Sequence, residues 1–244
     1  MINEHTKFRV IISEKNSSKV NMATDEALLL SLKDNDLPIL RLYTWDENSV
    51  TIGISQKVEN YDFNNIAKRI TGGGVLFHGH DVSYSLILPV NLLKGFNIKE
   101  SYEKICLFIL DFYKKLGLEV CYAKDNLNIQ LSKSEYCQVG FEAYDILVNG
   151  QKIGGNAQRR TKKAIFQHGS IPVTSVKKGN TIDNKIGISL EDIGKNIDFE
   201  TVQNKLTQSF EDTFNVELEF TQLTKEEENL KNNLLKEKYD NGSK

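Results

Sequence analysis

The pattern of hydrophobic and polar residues predicts strands over the first three quarters of the chain. DVSYSLILP (81–89) alternates and then runs apolar, as a half-buried strand does, with Pro89 ending it. YDILVNGQKIGG (144–155) predicts a hairpin, because two alternating runs flank Asn149 and Gly150, the pair that favours a type I′ turn. Shorter runs predict further strands at FRVIIS, PILRLYTW, SVTIGISQ and AIFQHGSIPV.

Apolar residues at helical spacing predict two helices between these strands. The first covers residues 21–36, with Asn21 or Thr24 near its N-cap. The second covers residues 101–120, with Gly117 as the residue that stops it. Strands with a few helices between them, and no internal repeat, predict an α+β fold in which a sheet is covered by helices.

The tail from about Leu190 is mostly charged and helical, apart from the short apolar stretch NVELEF. The chain has 244 residues, a length that suits one domain with a proper core. We therefore expect residues 1–244 to form a single domain with a helical tail over about 200–244 and no separate accessory domain.

The composition narrows the class of protein. The formal net charge is −2, so there is no global basic field to hold nucleic acid. No stretch of about 18 apolar residues predicts a membrane span, and charges interrupt the N-terminus where a signal peptide would be apolar. Three cysteines, widely spaced and without a CxxC pair, predict neither a zinc site nor disulfides. A cytoplasmic location is expected.

The stretch RITGGGVLFHGHDVSYS (69–85) carries three consecutive glycines, Gly72, Gly73 and Gly74, which are costly in regular structure. It fits neither GxxxxGK[ST] nor a GxGxxG that opens a helix. One interpretation is a tight bend. The other is a loop whose bare backbone lies against an elongated or anionic ligand, with Arg69 beside it as a fixed cation.

His78 and His80 are two residues apart, so on a strand both side chains would point to one face. A metal site needs a third ligand, and only His168 remains as a further histidine of these stretches. No metal site is therefore predicted, and a histidine that orients or deprotonates a substrate group is favoured.

The stretch GQKIGGNAQRRTKKAIFQHGSIP (150–172) again places a cation, Lys152, beside glycines, Gly154 and Gly155. A lysine after a turn is usually a solvated charge. The following basic residues are interpreted as a solvated loop, with an acidic partner or phosphate as the alternative: Arg159, Arg160, Lys162 and Lys163.

Cys137 lies in a polar stretch ahead of the predicted hairpin, whereas Cys106 and Cys121 are interpreted as packing residues. A lone loop cysteine is usually incidental. Near Lys152, however, its thiolate would be favoured, which is what a nucleophile requires.

Three ordered motifs resemble the lipoate–protein ligase and octanoyltransferase superfamily, whose catalytic domain is shared with biotin–protein ligases. They are NMATDEALL (21–29), RITGGGVLFHGHDVSYS (69–85) and KIGGNAQRR…FQHGSIP (152–172). The resemblance covers nearly the whole chain. It implies a mixed, largely antiparallel sheet covered by helices.

The resemblance also implies site roles. The glycine motif would line a tunnel for the acyl chain or an acyl-adenylate, and Lys152 would hold the acyl carbonyl or phosphate as negative charge develops. Cys137 and Lys152 are the implied catalytic residues. The implied acyl- or adenylate-binding residues are Arg69, Gly72, Gly73, Gly74, His78, Gly154, Gly155, Asn156, Ala157 and His168.

Two branches of the superfamily remain open. HGHDVSYS replaces the HDxGN of ATP-dependent ligases, and Cys137 precedes Tyr144 by seven residues, as the nucleophile does in cysteine-dependent octanoyltransferases. Against that branch, Gly74 stands where those enzymes usually have Arg, and Gln138 follows Cys137 where they have Phe. We favour the octanoyltransferase branch.

The favoured branch implies octanoyl–acyl carrier protein as donor and no required cofactor. The acceptors would be lipoyl domains of 2-oxoacid dehydrogenase complexes or the glycine cleavage H protein. The alternative is a ligase that uses lipoate, ATP and Mg²⁺, with Cys137 a bystander. A non-catalytic acyl- or lipoyl-domain-binding module is the remaining option, and the intact motifs argue against it.

Overall fold

The computed structural model describes residues 6–131, 141–175 and 187–240. Its strands are β1 (Lys7–Ile12), β2 (Ile39–Tyr43), β3 (Ser49–Ile52), β4 (Asn65–Lys68), β5 (Leu76–Phe77), β6 (Asp81–Pro89), β7 (Val120–Tyr122), β8 (Ile146–Val148), β9 (Gln151–Lys152), β10 (Gly155–Arg160), β11 (Ala164–Pro172) and β12 (Glu217–Phe220). Its helices are α1 (Ser18–Ser31), α2 (Ile98–Ile105), α3 (Leu107–Lys115), α4 (Phe199–Phe214) and α5 (Lys225–Leu234), the last continuing into a π-helical turn, Leu235–Tyr239.

The main sheet has six strands in the order β10-β11-β6-β2-β1-β12. Strand β1 runs parallel to β2 and to β12, and the other three pairs are antiparallel. Two three-stranded sheets, β4-β3-β5 and β7-β8-β9, complete the described strands. The α+β class with a mixed, largely antiparallel sheet is confirmed.

Strand β6 lies at the centre of this sheet, and all nine of its residues are buried. Val82, Tyr84 and Leu86 pack in the largest hydrophobic cluster, which includes residues of α3 and α4. Alternate residues of a strand point to opposite faces, so Asp81 and Ser83 lie on the other face. The prediction of a half-buried strand is therefore wrong, because the polar face is covered as well.

Helix α1 begins earlier than predicted. Its N-cap is Ser17, whose side chain accepts a hydrogen bond from the backbone N–H of Val20. Asn21 and Thr24, the predicted capping residues, are buried inside the helix. Asn21 donates to the carbonyl of Thr44 at 3.0 Å, so this polar side chain makes a tertiary contact instead of a cap.

The predicted helix over residues 101–120 is two helices, α2 and α3, separated at Cys106. Helix α2 starts at a capping box formed by Asn97 and Glu100. Gly117 has a φ of 73°, in the left-handed region that commonly ends helices, as predicted. The boundary differs because the cap lies upstream of the apolar periodicity.

The predicted hairpin is confirmed as the β8–β9 pair. Asn149 and Gly150 have φ values of 50° and 77°, and a type I′ turn requires φ above zero at both positions. This turn brings Lys152 across from Leu147.

The tail is mostly helical, as predicted, and its apolar stretch forms β12. Its helix α5 packs on α1, and the Arg9 guanidinium donates to Glu227 at 2.7 Å. Of the helices described, none combines the length and the apolar character needed to cross a bilayer. The single-domain assignment of residues 1–244 stays a prediction.

Candidate active site

A cavity of about 710 Å³, including part of its open mouth, lies between the glycine stretch and strands β9 to β11. Gly72 and Gly154 do not line it, and Cys137 lies outside the described residues. The predicted site residues that do line it are Arg69, Gly73, Gly74, His78, Lys152, Gly155, Asn156, Ala157 and His168.

The glycine loop, residues 72–74, is held by Arg69. The guanidinium donates to the carbonyl oxygens of Gly74 at 2.7 Å and Gly72 at 3.3 Å. On its other side the loop packs on Gly53, where an added Cβ would collide with the carbonyl of Gly73. The bare backbone therefore lies against the protein itself as well as against the cavity. Arg69 anchors the loop, and its role as a cation for a ligand stays a prediction.

Lys152 is buried and paired. Its Nζ lies 2.5 Å from Oδ2 of Asp145, and the two side chains are only 5% and 10% exposed. Burial raises the pKa of Asp145, although Lys152 beside it works in the opposite direction. The interpretation of Lys152 as a solvated post-turn charge is wrong, because the hairpin turns its side chain into the cavity wall.

His78 is one part of a buried hydrogen-bonded chain. Its Nδ1 lies 2.9 Å from Asp81 and its Nε2 lies 2.8 Å from the Thr51 hydroxyl, to which Arg69 donates at 2.9 Å. Burial works to raise the pKa of Asp81, but His78 and the hydroxyl of Ser170 hold it at about 2. Asp81 is thus ionised and accepts the Nδ1 proton, which makes Nε2 the acceptor in a neutral His78.

His168, also in the cavity wall, is held in a second buried cluster. Its Nε2 lies 2.7 Å from the hydroxyl of Thr71, directly before the glycine loop. Its Nδ1 lies 3.7 Å from Asp25, which forms a fully buried ion pair with Arg41 at 2.7 Å. Burial lowers the pKa of His168.

The comparison with known proteins decides the family. Residues 17–211 match the family model of the lipoyl protein ligase A/B catalytic domain, which is more than half of the chain. The chain belongs to this family.

Relatives of the chain within the lipoyl protein ligase A/B family include two octanoyltransferases named LipM. The one from Oceanobacillus iheyensis is 30% identical and covers 91% of this chain and 90% of its own length. The one from Clostridioides difficile is 29% identical and covers 96% of this chain and 97% of its own length. Both similarities extend over almost the whole of each protein.

The fold is shared with a solved archaeal protein, described as a bi-partite lipoate protein ligase and its E2 lipoyl domain from Thermoplasma acidophilum. The TM-score is 0.77 at 22% identity, covering 97% of this chain and 94% of that one. At this identity the likeness concerns the fold alone.

His78 and His80 do not have the strand conformation that was considered for them from the sequence. Neither residue is in a strand, because Gly79 turns the chain between them with a φ of 103°. His80 is buried, and its Nε2 has no hydrogen-bond partner among the described residues. Burial lowers its pKa.

The two arginines of the predicted solvated loop belong to β10 and bind backbone carbonyls. Arg159 donates to Ile70 at 2.9 Å and Arg160 donates to Asn97 at 3.2 Å. The prediction of a loop is wrong for these two residues, because both lie in a strand; Arg159 is exposed, as predicted, whereas Arg160 is half-buried. Lys162 and Lys163 are exposed, as predicted.

The two described cysteines lie away from the cavity lining. Cys106 is fully buried, and burial raises its pKa to about 12, so its role in packing is confirmed. Cys121 is half-buried, and burial also raises its pKa. Neither thiol is suited to forming a thiolate at neutral pH.

The sequence motifs do not indicate several buried partners of the site: Thr51, Thr71, Asp81, Asp25 and Asp145. One signal was available for Asp145. In the predicted hairpin Leu147 lies opposite Lys152, and Asp145 is two residues from Leu147 on the same strand face, within diagonal reach of Lys152.

Substitution of Lys152 by Met is expected to lower the free energy of unfolding by on the order of 3 kcal/mol, because it leaves Asp145 buried without its cation. Adding Asp145→Asn to this variant should recover part of the loss. Urea denaturation measures both. The control is Lys7→Met, which breaks an exposed pair with Glu219 and should change stability far less. Equal stability of Lys152→Met and wild type would contradict the buried pairing.

The free energy of unfolding is expected to fall as the pH is lowered from about 7 to about 5. His78, His80 and His168 all have lowered pKa values in the folded protein. The unfolded chain therefore takes up protons first, and acid favours unfolding. His80→Gln should make this dependence shallower in urea denaturation across the range. A slope that is unchanged by the substitution would show that His80 keeps an ordinary pKa.

Proposed function

We propose that the protein transfers an octanoyl or lipoyl group to the ε-amine of a specific lysine on lipoyl domains. The observation that carries the proposal is the convergence of the glycine loop and a buried lysine, Lys152, on one cavity in a member of this family. The named activity of the relatives, octanoyl transfer, supports the octanoyl group as the one transferred.

The proposed donor is octanoyl–acyl carrier protein, and the proposed nucleophile is Cys137. The Cys137 thiolate attacks the thioester carbonyl, a new carbon–sulfur bond forms, and the carbonyl oxygen becomes an oxyanion. Collapse of this intermediate expels the carrier thiolate and leaves an octanoyl thioester on Cys137. The acceptor lysine amine then attacks, loses a proton and expels the Cys137 thiolate, which gives the amide.

Two observations on the described residues support a nucleophile in the segment around Cys137. Cys106 and Cys121 have raised pKa values and do not line the cavity. Glu142, which does line the cavity, follows Cys137 by five residues. Chain length alone therefore keeps Cys137 within about 18 Å of Glu142.

Lys152 supplies the positive charge for the oxyanion in this proposal. A cation in a buried wall acts through a lower effective dielectric than one in water, so its attraction for a developing negative charge is stronger. Asp145 fixes the position of the Lys152 ammonium group, so little reorganisation is needed when the charge forms.

The second candidate is an ATP-dependent lipoate–protein ligase, since a lipoate protein ligase shares the fold. It would use ATP and Mg²⁺ and form lipoyl-AMP between the glycine loop and Lys152. Octanoyl transfer without a cofactor is preferred, because relatives that match almost the whole chain carry the name octanoyltransferase. The acceptors proposed are lipoyl domains of 2-oxoacid dehydrogenase complexes or the glycine cleavage H protein.

Cys137→Ala is expected to abolish transfer from octanoyl–acyl carrier protein to an apo lipoyl domain, because no thioester can form. Wild-type protein incubated with the donor alone should gain one octanoyl group on the peptide that contains Cys137, as measured by mass spectrometry. Cys106→Ala and Cys121→Ala serve as matched controls and should remain active.

The ligase alternative predicts the opposite pattern in the same assay. Cys137→Ala would modify the lipoyl domain from lipoate and MgATP, with release of pyrophosphate, and octanoyl–acyl carrier protein would not serve as donor. That result would overturn the proposed donor and nucleophile while leaving the family assignment in place.

A further inference from the structure

A row of polar side chains crosses the face of the main sheet that packs on α3 and α4. The strand register places Tyr84 of β6 beside Gly169 of β11, and Gly169 beside Asn156 of β10. In the next row, Gln167 of β11 pairs with Gln158 of β10. Side chains of directly paired residues lie on the same face, so these groups are neighbours.

The side chains form one continuous hydrogen-bonded chain. Arg160 donates to Gln158 Oε1 at 3.3 Å, and Gln158 Nε2 donates to Gln167 Oε1 at 3.0 Å. Gln167 Nε2 donates to the Tyr84 hydroxyl at 3.0 Å, and this hydroxyl donates to Asn156 Oδ1 at 2.8 Å. The chain runs from the edge of the sheet to the cavity.

The direction of every bond in this chain is fixed by its first member. A guanidinium has only donors, so the atom of Gln158 that faces Arg160 must be its oxygen. Gln158 then presents its amide N–H₂ to Gln167, and Gln167 presents its own to Tyr84. The Tyr84 hydroxyl donates to Asn156, whose Oδ1 accepts at 2.8 Å.

Gly169 makes room for this arrangement. A Cβ at position 169 would collide with Oδ1 of Asn156 and lie 2.6 Å from the ring of Tyr84. The space that a side chain of residue 169 would fill is thus occupied by the hydrogen bond between the other two residues. Only glycine permits the contact.

The hydrogen bond from Tyr84 to Oδ1 also determines where the other end of the Asn156 amide, the Nδ2 group, is placed. With Oδ1 held by Tyr84, the Nδ2 group is left without a hydrogen-bond partner among the described residues, and Asn156 lines the same cavity as Lys152. Nδ2 is also not among the buried polar atoms that lack a partner, so part of its surface is accessible.

We propose that Asn156 Nδ2 donates a hydrogen bond to the acyl carbonyl oxygen of the substrate as that oxygen becomes an oxyanion, and that Tyr84 positions the amide for this task. Asn156 is then a second donor beside Lys152. This inference rests on the proposed acyl transfer. A neutral donor whose orientation is set before the reaction stabilises the developing charge without reorganisation.

The test measures octanoyl transfer from octanoyl–acyl carrier protein to an apo lipoyl domain. Asn156→Ala should lower kcat on the order of 100- to 1000-fold with little change in KM, because the contact strengthens only in the transition state. If Asn156→Ala does not fold, Asn156→Asp is the second variant. It keeps the side-chain volume and the acceptor for Tyr84 but presents a carboxylate oxygen to the cavity. The same loss of kcat is expected.

Tyr84→Phe tests the positioning role. It removes the hydroxyl that holds Oδ1, and kcat should fall about tenfold or more through misplacement of the amide. In the Asn156→Ala background the same substitution should have no further effect on kcat, because its target is gone. The matched control is Tyr113→Phe, since Tyr113 packs in the same hydrophobic cluster and its hydroxyl has no hydrogen-bond partner among the described residues. It should leave kcat unchanged.

The outcomes separate this inference from the proposed function. Wild-type protein that transfers no octanoyl group would contradict the proposed function itself. Active wild type with an unchanged kcat in Asn156→Ala would overturn the inference alone. A further loss of kcat from Tyr84→Phe in the Asn156→Ala background would show that Tyr84 acts through the general packing of the sheet, which overturns its positioning role.

Discussion

The structure depends on one constraint, the burial of a polar strand face. Strand β6 packs its apolar residues on α3 and α4, yet Asp81, Ser83 and Ser85 on the opposite face are buried too. Buried polar groups are costly unless each finds a partner. Helix α1 supplies Asp25, which accepts from the hydroxyl of Ser85 and pairs with Arg41 of the neighbouring strand β2. Two histidines that line the cavity lie beside these carboxylates, His78 beside Asp81 and His168 beside Asp25.

The buried ion pairs of this structure fix the positions of charged groups more than they stabilise the fold. Replacing a buried ion pair by well-packed apolar residues is often neutral or stabilising, so the pairs of Arg41 with Asp25 and of Lys152 with Asp145 are weak arguments for stability. What they provide is a fixed location for buried charge. A lysine whose ammonium group is fixed beside the cavity can meet a developing oxyanion without first ordering itself.

Local features could be predicted from the sequence, whereas distant contacts could not. Asn149 and Gly150 determine their turn by their own conformational preferences, and the motif residues around Gly73 and Lys152 do converge on one cavity. The start of α1 differs from the prediction because Asn21, a good capping residue, donates instead to the carbonyl of Thr44. The partners Thr51 and Thr71 carry no local signal, since their histidines lie 27 and 97 residues away in the chain.

Two hydrogen-bonded chains of the site begin at an arginine, and this determines what each can offer a ligand. Arginine can only donate, so the direction of donation is the same along the whole of each chain. The chain from Arg69 through Thr51 and His78 ends on the ionised Asp81. This carboxylate accepts the last hydrogen bond and has no proton of its own to donate further. The chain from Arg160 ends on the oxygen of Asn156, whose amide carries two further protons. The first chain therefore fixes the glycine loop, and the second is the one that leaves donors for a substrate.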